Sequence, residues 1–172
     1  MRKFSQVDAH IPLSAKLMPE EFMDDAVSRI IEDPVVGAFN EPPRMLDEAL
    51  AEWLEMLNSK MDAILKLMTL SKEGFSSLPL RHVKISGSGL VFGVNERYNV
   101  GDTLEIKMIL PGSRHLAMYV YGKVMAITEE GGKLRAAVEF VSLEEQMRDS
   151  IVEYVFERER ELIREKMEEG QD

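Results

Sequence analysis

Few residues in this sequence are of types that make or break bonds, and their spacing does not bring them together. His10, His82 and His115 fall in strand-like and turn-like stretches with no HxxxH or HxH spacing. They read as structural residues, and no metal site is expected. The carboxylate pairs Glu20-Glu21 and Glu144-Glu145 stand where helices are expected to begin, and the positive end of a helix dipole accounts for them. Gly87-Ser88-Gly89 is no nucleophile elbow, because no helical pattern follows the serine. The chain has no cysteine, which removes thiolate nucleophiles, disulfides and cysteine metal ligands and fits a reducing cytoplasm. No enzymatic site and no cofactor are expected.

Charge and hydropathy narrow the partners. A net charge of −10 over 172 residues argues against nucleic acid and against an anionic membrane surface, both of which select clustered lysine and arginine. No apolar run approaches the roughly 20 residues that span a bilayer. Met1-Arg2-Lys3-Phe4-Ser5-Gln6 lacks the apolar core of a signal peptide, so a cytoplasmic location is expected. The length suits a single domain, 1–172, with an elaborate insertion.

The remaining elements follow from periodicity. Val7 to Leu17 alternates as a first strand, with Pro12 pointing to an edge or a bulge. Pro19-Glu20-Glu21 opens a predicted helix over 20–31, with Phe22, Met23, Ala26, Val27, Ile30 and Ile31 on one face. A Pro-, Gly- and Asn-containing linker leads to the longest helical pattern, Arg44 to Lys72, with Gly74 as its C-cap. Leu50, Leu54, Leu57, Met61, Ile64 and Met68 recur at heptad spacing, and Leu46, Ala49, Trp53, Met56, Ala63 and Leu67 form a second row, broken by Lys60. Apolar residues over more than half the circumference imply a partner, and self-association is the expected use. The region 18–74 thus reads as a helical insertion for oligomerisation.

Strands then come quickly, over 78–141. Leu80 to Phe92 reads as strand, glycine-rich bend, strand, with Gly87 and Gly89 expected to supply positive φ. Leu104, Ile106, Met108 and Leu110 alternate, and Leu116 to Thr128 is apolar on both faces. Glu130-Gly131-Gly132-Lys133 marks a hairpin. Ser142-Leu143-Glu144-Glu145 reads as a capping box for a last helix, 142–169, whose tail beyond Phe156 is expected to project past the strands.

From Leu80 to Lys166 this order resembles the PilZ domain, a small bacterial β-barrel best known as a receptor for cyclic di-GMP. The resemblance rests on the glycine-rich bend, the Gly101-Asp102 strand entry, the Tyr119 to Thr128 strand, Val138-Glu139-Phe140 and the helix from Arg148. It implies an α+β fold, a PilZ-like antiparallel β-barrel with two inserted helices (one heptad-bearing) and a C-terminal helix. The helices at 20–31 and 44–72 are similar to those of the atypical, tetrameric PilZ branch, which implies a tetramer, with a dimer as the other option.

The family's ligand site combines the arginines of RxxxR with the polar residues of DxSxxG. In this sequence Arg2 matches the first arginine and Gln6 replaces the second; Lys84 replaces the aspartate, while Ser86 and Gly89 remain. Gln6 removes a guanidinium fork, and Lys84 turns an acceptor into a donor. Each lost charge-assisted pair forfeits roughly 1.5–3 kcal/mol, one to two decades of affinity. The expectation is a non-enzymatic interaction protein in cyclic di-GMP-linked signalling that does not bind the nucleotide in the standard way. The alternative is a direct receptor, with Lys84 turned to a phosphate. Ser86 and Gly89 also have a structural reading, as the cap and the hinge of the bend.

Overall fold

Alternating apolar residues decide most of the architecture. The computed structural model describes residues 4–31, 44, 46–112 and 115–170. Its elements are β1 (Gln6–Leu17), a 3₁₀ helix (Glu20–Asp25), β2 (Arg29–Ile30), α1 (Glu48–Lys72), β3 (Leu80–Ser86), β4 (Gly89–Val94), β5 (Thr103–Leu110), β6 (Leu116–Glu130), β7 (Lys133–Val141) and α2 (Glu145–Glu169). The chain forms two units, one made of residues up to Ile30 and from Leu78 onward, the other of Ile31–Ser77.

In the first unit the strands run β6-β5-β1-β3-β4-β7 in antiparallel order, and β7 returns to β6 to close a six-stranded barrel. Closure leaves the barrel ladder without a free edge. β1 serves two neighbours: Gln6 to Pro12 pair with β3, and Leu13 to Leu17 pair with β5. Pro12, expected at an edge or bulge, lies at this changeover, where a residue without an N–H is tolerated. The inward positions, among them Ile11, Leu13, Ile85, Phe92, Ile106 and Met108, are fully buried. In β6 the residues from Ala117 to Gly122 are buried on both faces, as the apolar run implies. Gly131 and Gly132 both take positive φ, as a tight two-residue hairpin requires.

α2 covers the core with Met147, Ile151, Tyr154 and Val155. The expected capping box does not form. Ser142 has φ of 52° and the helix starts later, with Glu144 in the extended cap position and no side-chain cap bond. An N-cap needs extended backbone, which Ser142 lacks. The tail is also held further than expected: Ser5 Oγ donates to Glu159, and Leu162 packs against the core before the exposed stretch 163–170 begins.

The predicted helix over 20–31 is corrected. Its first part is the 3₁₀ helix, and Arg29–Ile30 form β2, which pairs with Met118 and Tyr119 on β6 beyond the end of β7. Ser28 accounts for the change. Its buried hydroxyl accepts the Tyr121 N–H at 3.2 Å and donates to the Val141 carbonyl at 3.4 Å, tying both strands at the junction. The Arg29 guanidinium lies 4.2 Å from the Tyr119 ring centroid. β-Branched Val27, Ile30 and Ile31 favour extended backbone, and these tertiary bonds outweigh weak helical periodicity.

The second unit contains α1. Asp47 caps it by accepting the Leu50 N–H at 3.2 Å, so the helix begins at Glu48 rather than Arg44. The predicted C-cap holds: Gly74 is left-handed, its N–H bonds Ser71 O, and the Phe75 N–H reaches Leu70 O at 2.8 Å, a Schellman motif. No residue of α1 is buried. Leu50, Leu54, Leu57, Met61, Ile64 and Met68 are all exposed, between 42% and 64%. The linker over 33–43 lies outside the described residues.

Candidate ligand cavity

The β1–β3 register sets Gln6 directly opposite Ser86, and the β4–β7 register sets Gly89 opposite Glu139. These residues border a cavity of about 840 Å³ that also takes in the start of α2. Gln6, Ser86 and Gly89, three of the five motif positions, are thus brought together. Lys84 is not among the lining residues, and Arg2 lies outside the described residues.

Ser86 and Gly89 each have a local structural task. The Ser86 hydroxyl accepts the Ser88 N–H and donates to Gly89 O, both at 3.3 Å, and so spans the β3–β4 bend. Neither Gly87 nor Gly89 adopts the positive φ expected of it; the left-handed glycines lie elsewhere. Close packing explains them instead. A Cβ on Gly89 would stand 2.1 Å from Val138 O on β7, and one on Gly87 would stand 2.7 Å from Phe4 and Val152 side-chain atoms.

The cavity's charge was not legible from the motif. Its described lining holds one cation, Arg148, against Glu139, Glu145 and Asp149. The Arg148 guanidinium lies over the Phe4 ring, 5.6 Å from the centroid. Met125 enters through a bulge: the β6–β7 register slips between Val124 and Ala126, leaving Met125 half exposed in the lining. Met125, Glu139 and Asp149 lie on three consecutive elements, β6, β7 and α2, far in sequence from Gln6, and barrel closure brings them to the same cavity.

A second polar group lies on β1 and β3. His10 pairs with His82 across the strands, with ring centroids 5.1 Å apart, and His82 Nε2 is 3.1 Å from Asp8 Oδ1. The scattered histidines of the sequence include this one close pair, which only the register reveals. Among the described residues no group of three or more His, Asp or Glu is arranged to hold a metal ion.

A glycine-rich β3–β4 bend, a closed six-stranded barrel and a C-terminal helix across its core define a PilZ-type barrel. The chain matches the PilZ domain family over residues 67–157, more than half its length, and belongs to that family. No curated protein sequence matches it. Among solved structures it is similar to a Xanthomonas campestris protein described as a tetrameric PilZ domain self-assembled via a helical bundle. That match has 14% identity and a TM-score of 0.61, over 95% of this chain and 92% of the other. It is also similar to the Bacillus subtilis inhibitor of motility, at 11% identity and a TM-score of 0.52. There the match covers 94% of this chain but 52% of the Bacillus protein, so the chain spans about half that length. At these identities the likeness is one of fold. No helix among the described residues is long and apolar enough to cross a membrane.

Proposed function

We propose that the protein is a non-enzymatic, cytoplasmic PilZ adaptor in cyclic di-GMP-linked signalling, which assembles through α1 and does not bind the nucleotide in the family's standard mode. One observation carries this reading. Among the described residues, the lining at the motif positions presents three carboxylates and one guanidinium to a ligand whose two phosphates are anionic. Gln6 adds no charge, and Lys84 stands outside the lining. Like charges so placed cost affinity where the family's arginines would supply it. The assembly half of the reading is supported by the exposed heptad residues of α1 and by the helical bundle of the Xanthomonas protein. A tetramer is the favoured state.

Calorimetric titration with cyclic di-GMP tests the reading. The expected result is no saturable heat below about 100 µM ligand, a weak-binding ceiling on the affinity scale. Binding at low micromolar ligand would instead make the protein a direct receptor. In that case Arg2→Ala should abolish the signal if the site is family-like, and Lys84→Ala should do so if it is rearranged.

A further inference from the structure

The cavity is an apolar groove before it is an acidic one. Phe4, Val91, Met125, Ala137 and Leu143 line it. Met125 owes its place to the bulge, a feature that re-aims a side chain at the cost of a ladder position. Methionine at such a position offers a soft surface that adapts to different apolar side chains. Around this floor stand Glu139, Glu145 and Asp149, all exposed to solvent. Glu145 is in the first turn of α2, where the helix dipole favours it; Glu139 on β7 stands opposite Lys123 on β6, and Asp149 lies past the first turn of α2.

We propose that this groove docks a basic, amphipathic segment of a partner protein. Leucine- or methionine-type side chains would rest on Met125, Leu143 and Val91, and lysine or arginine side chains would face Glu139, Glu145 and Asp149. In the described lining the three carboxylates outnumber the one cation, Arg148, and that charge balance selects a basic occupant over an acidic segment and over a nucleotide. The inference rests on the reading above, that the cavity has left standard nucleotide binding, and it names the class of partner that takes the vacated site.

Fluorescence anisotropy on the full chain tests it, with a labelled amphipathic Leu/Lys peptide as the probe and its Leu/Glu counterpart as the control. Saturable binding of the Leu/Lys peptide, weakened by added salt, is expected. The double variant Glu139→Lys/Asp149→Lys should weaken it by about tenfold or more, and Met125→Ser by a smaller factor. Glu168→Lys/Glu169→Lys, which makes the same charge change in the exposed tail of α2, should shift it less than about twofold. Equal weakening by the two double variants would reduce the effect to net charge and overturn the proposal, as would the absence of saturable binding. Circular dichroism checks that the variants fold, and Glu139→Gln/Asp149→Asn gives a milder arm that should weaken binding in the same direction. If neither the peptide nor cyclic di-GMP binds, this inference falls and the adaptor reading stands. If cyclic di-GMP binds saturably, both fall.

Discussion

The two α-helices have the same length, 25 residues, and treat their apolar side chains in opposite ways. α2 is the more polar in sequence, yet it buries Met147, Ile151, Tyr154 and Val155 in the core of the barrel unit. α1 leaves nine large apolar side chains exposed between Leu50 and Met68, and buries none. Burial of a large apolar side chain is worth roughly 1.5–3 kcal/mol, so a helix with a wide wet face forfeits more stability than a monomer ordinarily tolerates. The comparison separates a helix that completes a fold from one whose apolar faces stay exposed, and a second copy of the chain is the partner proposed above to cover them.

The largest effect that would break this comparison lies in α1. Leu57→Glu with Ile64→Glu puts charges into the middle of the seam, and the assembly should dissociate. Light scattering should fall from a multiple of the 19.6 kDa chain to that mass itself, while circular dichroism still reports a folded barrel. Removing two anchors of roughly 1.5–3 kcal/mol from each chain shifts association by several decades. An unmodified protein that already scatters at 19.6 kDa across the micromolar range would refute self-association through α1.

The matching change in α2 should act on folding instead. Ile151 is fully buried among barrel residues, so Ile151→Ala should destabilise the protein by about 2–5 kcal/mol in denaturant unfolding. At native conditions the mass should stay that of the unmodified assembly. A variant that dissociates without losing stability would place α2, rather than α1, in the interface.

How far all this was legible in the sequence follows a physical line. Strands β1, β3, β5 and β7 declare themselves through alternation, β6 through a run apolar on both faces and β4 through its place after the glycine-rich bend, and the Schellman end of α1 is written in Gly74. The segment around Ser28 was not legible, since its hydrogen bonds go to Tyr121 and Val141, residues about a hundred positions away. Gly89 could be recognised as special, but not why: the constraint is the carbonyl of Val138 on a strand that pairs only when the barrel closes. The motif positions Gln6, Ser86 and Gly89 were reached through resemblance. The carboxylates of the cavity's described lining were not, because a motif names only its own positions and is silent about the neighbours that other elements bring beside them.

The smallest expected effect concerns pH and again contrasts buried with exposed chemistry. Tyr154 on α2 has its phenol pushed above the ordinary 10.0, first by burial, with nearby Arg158 opposing and Glu161 adding to the rise. Tyr121 on β6 is pushed up by burial and then by Glu105, whose carboxylate accepts its hydroxyl at 3.1 Å. A raised phenol means that the folded state holds its proton more tightly than the unfolded chain does. Below the ordinary value both states are protonated, and this contribution to stability is present in full; as pH rises from there through the raised value, it is lost. Denaturant midpoints should therefore be insensitive to these groups near neutrality and should fall above about pH 10, the reference value for an exposed phenol. Tyr154→Phe removes the titrating proton while keeping the ring, so its alkaline decline should be shallower than that of the unmodified protein. Parallel declines in the two proteins would show that Tyr154 ionises as readily in the fold as in the unfolded chain, and that α2 does not seal its phenol from water.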